Sequence, residues 1–277
     1  MSNTSKGRVL VIAGSDSGGG AGIQADIKTI TALGGYAATA ITAVTVQNTL
    51  GVTGVHPIPL EVIDAQARAV LDDIGADAIK TGMLGDAAVV ETVAAAIDYA
   101  NRNGAGGAPA VVDPVMIAKG GAPLLAEAAI GAVKRLMIPR AALLTPNAPE
   151  AAALTGLVVE TTDDLRRAGE ALLALGAKAV LMKGGHVLVG EGGGDRVVDV
   201  LMTAQGETTF EGERIETRHT HGTGCTLASA CATGLAQGLS LEEAVARAWN
   251  YVHEAMLRAP GFGGGHGPLD HGWTLRR

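Results

Sequence analysis

The run RVLVIA (residues 8–13), the loop GSDSGGGAG (14–22) and the segment IQADIKTITALGG (23–35) decide the fold. A six-residue apolar run that stops at glycine has the make-up of a buried strand, and Ile23, Ile27, Ile30 and Leu33 recur at helical spacing. Together they read as strand, glycine loop, helix. Outward from there, residues 36–46, DAIKTG (77–82), APAVVD (108–113) and AALLT (141–145) are further strand candidates. Helical patterns lie between them: Val89, Val93 and Ile97 behind an Asp86 N-cap, and Leu165, Leu172 and Leu175 closed by Gly176. Such alternation implies right-handed crossovers, a mostly parallel sheet covered on both faces, and ligands at the carboxyl ends of its strands. Val198 to Thr203 and Glu207 to Phe210 flank Gln205 and Gly206 and read as an antiparallel hairpin at one edge. The chain then returns to helix over 222–235, and Ser240 with Glu243 forms a capping box ahead of Val245, Trp249, Val252 and Met256. With no internal repeat and no long linker, residues 1–277 read as one α/β domain.

Composition narrows the function. Hydrophobic residues make up 47% of the 277 and charged residues 18%, which excludes a disordered chain. The 40 glycines and only 3% aromatics imply tight turns around a core of small aliphatics. The net charge is 21 − 28 = −7 with the acids scattered, so neither a nucleic acid nor an anionic membrane is an expected partner. A phosphorylated ligand must then be held by local backbone donors and a few cations. Cys225 and Cys231 fit neither a disulfide scaffold nor a zinc knuckle, and no apolar stretch has the length of a signal or a membrane span. A cytoplasmic setting is expected.

Two glycine-rich segments are candidates for chemistry. Gly18, Gly20 and Gly22 are spaced G-x-G-x-G, which is not the dinucleotide fingerprint, and no P-loop string occurs. The second segment is HGTGCT (221–226), directly before an apolar helical run. Helix-start N–H groups, with Gly222 and Gly224 removing bulk, form an anion hole suited to phosphate charge, and the helix end is expected to lower the Cys225 thiol pKa and make it a base. A tight turn at 14–22 and a small buried residue at Cys225 are the plainer alternatives. Polar residues close five strand ends: Gln47-Asn48, Lys80-Thr81, Asp113-Pro114, Thr145 to Asn147, and Lys183 to His186. Asp113 and Glu150 suit a water-shelled Mg²⁺, and Lys183 suits a phosphate. The seven histidines show no H-x-x-x-H pair, so zinc is not expected.

The segments running from residue 13 to 49 (AGSDSGGGAG through VQNT), KTGML (80–84), DPVM (113–116), TPNAPEA (145–151), MKGGH (182–186) and HGTGCTLASA (221–230) occur in this order. From about Val9 to GGGHGP (263–268) the chain resembles the hydroxymethylpyrimidine/phosphomethylpyrimidine kinases of thiamine biosynthesis, in the ribokinase-like superfamily. The resemblance implies a three-layer α/β/α sandwich, a homodimer, and the use of ATP and Mg²⁺ to phosphorylate 4-amino-5-hydroxymethyl-2-methylpyrimidine and then its monophosphate. It places the pyrimidine near Gly14, Ala21, Asp26, Gln47, Met83 and Val115, with Gln47 on the aminopyrimidine edge. Phosphates and metal collect at Asp113, Asn147, Glu150, Lys183 and the helix start from Gly222 through Thr223 and Gly224 to Cys225. The wider superfamily commonly has Asp at the position of Cys225. Pyridoxal kinase is the sibling alternative, which Asp at that position would favour. A non-catalytic pyrimidine-binding regulator would be expected to have lost HGTGC, Asp113 and Lys183, and all are present.

Overall fold

The computed structural model describes residues 7–103, 107–116, 124–185, 187 and 196–276. The chain begins with β1 (Arg8–Ala13), α1 (Gly22–Ala32), β2 (Tyr36–Ile41), β3 (Ala43–Asn48), β4 (Gly51–Pro57) and α2 (Leu60–Asp73). It continues through β5 (Ala78–Thr81), α3 (Ala87–Asn103), β6 (Ala110–Val112) and α4 (Ile130–Ala132), which runs into a π turn over Val133–Met137. β7 (Ala141–Leu144), α5 (Ala148–Thr155), α6 (Thr162–Ala174), β8 (Ala179–Met182), β9 (Arg196–Thr203), β10 (Gly206–Glu213), α7 (Thr223–Ala236) and α8 (Leu241–Leu257) complete it.

Eight strands form one sheet in the order β2-β1-β5-β6-β7-β8-β9-β10. Pairing is parallel from β2 to β8 and antiparallel for β8 with β9 and β9 with β10. Both faces are buried, as the two-residue strand period requires of a parallel sheet. In β1, Leu10 and Ile12 join one core with α2, α3, α5 and α6 residues, while Val9, Val11 and Ala13 join the other with α1, α7 and α8 residues. This is the expected three-layer sandwich, with the expected hairpin as β9 and β10. The expected caps are present: Asp86 accepts from the Val89 N–H at 2.9 Å, and Ser240 and Glu243 close a capping box.

One expected strand divides. Residues 36–46 are not continuous, because the chain leaves the sheet at Thr42, whose N–H donates to Ala13 O and whose hydroxyl donates to Met83 O at 2.7 Å. The Gln66 side chain clamps Ile41 through both its N–H and C=O. β3 then pairs with β4 as a separate antiparallel ribbon. Apolar composition could not reveal this, since both halves are rich in Ala, Val and Thr; β4 has no such run and went unread.

At the centre lies an ion pair. Lys80 on β5 donates to both carboxylate oxygens of Asp26 on α1 at 2.9 Å, both side chains are 0% exposed, and Ser229 on α7 donates to Asp26 at 2.7 Å. Burial opposes the charge on Lys80, but Asp26 outweighs it and holds the ammonium protonated. Removing one partner of such a pair strands a buried charge, whereas replacing both with apolar groups relieves the desolvation of each. Lys80→Met should therefore lower unfolding free energy by about 3–5 kcal/mol, and Lys80→Met with Asp26→Leu should recover most of that loss in urea denaturation. Equal losses in the single and double variants would show that the cost is packing volume and not charge.

Candidate active site

Strands β1, β5, β6, β7 and β8 all run toward one edge, and there Gly14, Gly82, Asp113, Asn147 and Lys183 follow them into a cavity of about 900 Å³. The lining brings together Gly14, Ala21, Gln47, Met83, Asp113, Val115, Asn147, Glu150, Lys183, Gly222, Thr223, Gly224 and Cys225. Asp26 alone of the expected site residues does not line it: its carboxylate lies beneath the floor, occupied by Lys80 and Ser229. His186 is outside the described residues.

The two glycine loops are built against each other. Asp16 folds the first by accepting the N–H groups of Gly18, Gly20 and Ala21 at 2.8 to 3.0 Å, and it meets His221 Nε2 at 2.8 Å. Burial works against the Asp16 carboxylate, but His221 and these N–H donors prevail and hold its pKa below the ordinary value. Gly222 caps α7 with φ +86°, and a Cβ there would overlap the Gly20 carbonyl. Only glycine fits both the left-handed conformation and that approach.

At the opposite end charges converge. Lys183 Nζ lies 3.2 Å from Asp113 Oδ1 and 3.9 Å from Glu150 Oε2, and Thr145 donates to Asp113 at 3.2 Å. A Cβ on Gly224 would come 3.2 Å from Lys183 Nζ and 3.6 Å from Asp113 Oδ2, so the bare helix start of α7 opens directly onto these groups. Thr223 N–H reaches back to Thr220 O; the Gly224 and Cys225 N–H groups have no backbone acceptor among the described residues. Asn147 and Glu150 form a capping box that fixes Glu150 at the start of α5. Burial pushes the Glu150 carboxyl up to about 7, with Lys183 pulling the other way and Asp113 adding to the rise. Burial opposes the Lys183 charge, and Asp113 and Glu150 overcome it. Asp113 Oδ2 makes no hydrogen bond among the described residues, which leaves an anionic oxygen beside Lys183 of the kind a hydrated Mg²⁺ accepts.

Cys225 faces the cavity half-buried, between the start of α7 and the Gly22 N–H at the start of α1. The expectation of a lowered thiol pKa does not hold. Burial is the largest influence, Asp26 and Asp113 add to it, and together they overcome Lys80 and the Gly22 N–H to push the thiol up to about 11. Cys231 is fully buried and pushed up to about 12. Asp16, Thr45, Lys80 and His221 also line the cavity; sequence reasoning gave them no individual role, although all four lie inside quoted segments. Trp249 and His253 stack at 5.6 Å in the cavity wall, and nothing but helical periodicity marked Trp249 in the sequence.

The phosphomethylpyrimidine kinase family model matches residues 16–270. A hydroxymethylpyrimidine/phosphomethylpyrimidine kinase of Streptomyces coelicolor is 50% identical over 96% of this chain and 95% of its own length. One of Bacillus subtilis is 47% identical over 95% and 94%. Among solved structures, a pyridoxal kinase of Staphylococcus aureus in complex with AMP-PCP and pyridoxal superimposes with a TM-score of 0.86 at 33% identity, covering 98% of this chain and 95% of that one.

Glu150 gives the site a pH signature. Because its folded pKa, about 7, lies above the ordinary 4.5, its contribution to stability is complete below pH 4.5 and is lost as pH rises through 7. Relative to Glu150→Gln, the wild type should lose on the order of 3 kcal/mol of unfolding free energy between pH 4.5 and 8.5. A difference that stays constant over that range would mean Glu150 ionises as a solvated carboxylate.

Proposed function

Since the chain belongs to the phosphomethylpyrimidine kinase family, we propose how its cavity carries out the family's reaction. The enzyme phosphorylates 4-amino-5-hydroxymethyl-2-methylpyrimidine with ATP to the monophosphate and then to the diphosphate, in thiamine biosynthesis, on a ribokinase-like fold. The observation that carries the assignment of residues is the convergence of Lys183, Asp113 and the bare Gly224 helix start on one point of the cavity.

In this reading Gly14, Ala21, Gln47, Met83 and Val115 receive the pyrimidine, with Met83 and Val115 against the ring and the Gln47 amide on its polar edge. Asp26 serves from below by fixing Lys80. Asn147, Lys183 and Thr223 hold the nucleotide phosphates, and the Gly224 and Cys225 N–H groups stabilise the charge that grows on the transferred phosphoryl group. Mg²⁺ would be held through water by Asp113 and Glu150 and would neutralise phosphate charge. The Cys225 thiolate takes the hydroxymethyl proton and becomes a thiol as the alkoxide oxygen bonds to the γ-phosphorus and ADP leaves. Exposed Val44, Val46 and Val55 on the β3–β4 ribbon support a homodimer. In this reading residues 1–277 are one catalytic domain in a cytoplasmic setting. No helix among the described residues is long and apolar enough to cross a membrane.

Pyridoxal phosphorylation is the second reading, favoured by the likeness to the Staphylococcus aureus pyridoxal kinase. ADP release measured in parallel with hydroxymethylpyrimidine, its monophosphate and pyridoxal, with product masses, separates the two. The pyrimidine diphosphate should accumulate; monophosphate alone after exhaustive turnover with excess ATP would remove the second transfer.

The Cys225 role has a kinetic signature. The pH dependence of kcat/KM reports free-enzyme ionisations. A base with a pKa of about 11 in the free enzyme gains its active form about tenfold per pH unit below that value, so kcat/KM should still be rising between pH 7 and 9. Cys225→Ser should lower kcat by roughly 10²-fold. Cys225→Asp should keep part of the rate and flatten the profile, and Cys231→Ala should change neither. A wild-type profile already flat from pH 7, together with a near wild-type kcat in Cys225→Ser, would leave the anion hole and metal as the whole mechanism.

A further inference from the structure

We propose that His221 and Thr45 lock the Gln47 carboxamide in a single orientation, which makes His221 a specificity-determining, positioning residue for the pyrimidine edge. The inference rests on the reading that Gln47 meets the substrate ring.

The lock follows from counting protons. His221 Nε2 lies 2.8 Å from Asp16 Oδ2, and the same carboxylate already accepts three backbone N–H groups. A carboxylate so supplied acts only as an acceptor, so the imidazole proton is on Nε2 and points at Asp16. A protonated ring nitrogen has no lone pair to offer, yet the structure sets the Gln47 amide nitrogen 3.2 Å from it, donor against donor. Oxygen and nitrogen of a carboxamide exchange places by a turn of the amide, and its partners require the turned form, in which the oxygen shares the Nε2 proton with Asp16. The other end gives the same answer independently. Thr45 Oγ1 donates its one proton to Ser15 O at 2.8 Å, so the Gln47 Oε1 that the structure sets 3.3 Å from that hydroxyl has no proton to accept, and the turned amide puts its nitrogen there as a donor.

Neither neighbour is free to adapt. The imidazole lies against Gly20, where a Cβ would come 2.6 Å from its Cδ2, and the His221 N–H donates to Gly267 O at 3.2 Å. Reversing the amide would set N–H against N–H at one end and oxygen against oxygen at the other. One amide N–H and the remaining lone pair of Oε1 are left for the cavity in a fixed order. A 4-aminopyrimidine edge, ring nitrogen accepting and exocyclic amine donating, can meet that order. A 4-oxopyrimidine edge presents donor and acceptor reversed, and only a free amide could turn to accommodate it.

Binding of 4-amino-5-hydroxymethyl-2-methylpyrimidine and of its 4-oxo counterpart, measured by calorimetry without ATP, tests the lock apart from catalysis. The wild type should prefer the amino compound. His221→Leu should lower the ratio of the two affinities by about tenfold or more, the scale of one buried hydrogen bond. Thr45→Val, which leaves the α7 loop untouched, should lower it in the same direction and decides the question if His221→Leu does not fold. A ratio unchanged in the variants, with both ligands weakened equally, overturns the lock and leaves His221 a structural contact. Gln47→Leu distinguishes the underlying reading. If it abolishes the preference while the other two variants keep it, Gln47 meets the ring but is not locked; if it retains the preference, Gln47 does not meet the ring and both statements fall.

Discussion

The buried pair of Lys80 and Asp26 is the constraint from which the rest of the site is built. It joins three elements at one point, with Lys80 from β5, Asp26 from α1 and Ser229 from α7. Helical spacing carries that junction up to the cavity. Gly22 lies four residues before Asp26 and Cys225 four before Ser229, so each stands one turn above the pair on the same helix face. The two helix starts are thereby held side by side, and the Gly22 N–H meets the Cys225 sulfur. A hydrophobic junction could hold the helices as tightly, but it would leave no positive charge beneath the thiol.

Electrostatics must be local here because the molecule as a whole carries −7. The cavity answers with backbone N–H groups and two ammonium groups, Lys80 buried and Lys183 partly buried, each fixed by carboxylates that also limit its reach. Lys183 is shared between Asp113 and Glu150, and Glu150 is raised to about 7 by burial. In the proposed reading an entering polyphosphate would compete with these carboxylates for Lys183, and an accompanying divalent cation would remove the competition by taking them as ligands. Nucleotide and metal would then reinforce each other by charge alone.

Much of this was legible in the sequence because parallel sheets concentrate polar residues where strands end. The apolar runs at 8–13, 77–82, 108–113 and 141–145 mark their strands, and Gly14, Gly82, Asp113 and Asn147, at or just beyond the ends of these runs, line the cavity. What escaped was whatever depends on two segments meeting. The break at Thr42 is set by Gln66 and Met83, both remote in sequence. Asp26 carries the family resemblance in its motif, yet nothing local says that it points down to Lys80 and not out to a ligand. The sign of the Cys225 shift was missed for the same reason. A helix start is visible in HGTGC, but the Asp26 and Asp113 carboxylates and the depth of the floor are not, and they outweigh it.

A thiol raised in this way has a consequence for how the reaction is staged. An aspartate at position 225 would bring a permanent negative charge beside Asp113 and the path of the transferred phosphate. A neutral thiol would add none while nucleotide binds, so in the proposed reading polyphosphate would meet the Gly224 and Cys225 N–H groups without a competing anion on the same helix turn. Were Cys225 the base, as proposed, negative charge would stand on sulfur only in its thiolate form, near Lys80, and would be discharged when the hydroxymethyl proton arrives. The buried ammonium would then act at the stage when the sulfur is charged, held in place by Asp26. On that mechanism one pair of side chains would serve both fold stability and the timing of charge, with Lys80 at the cavity lining and Asp26 beneath it.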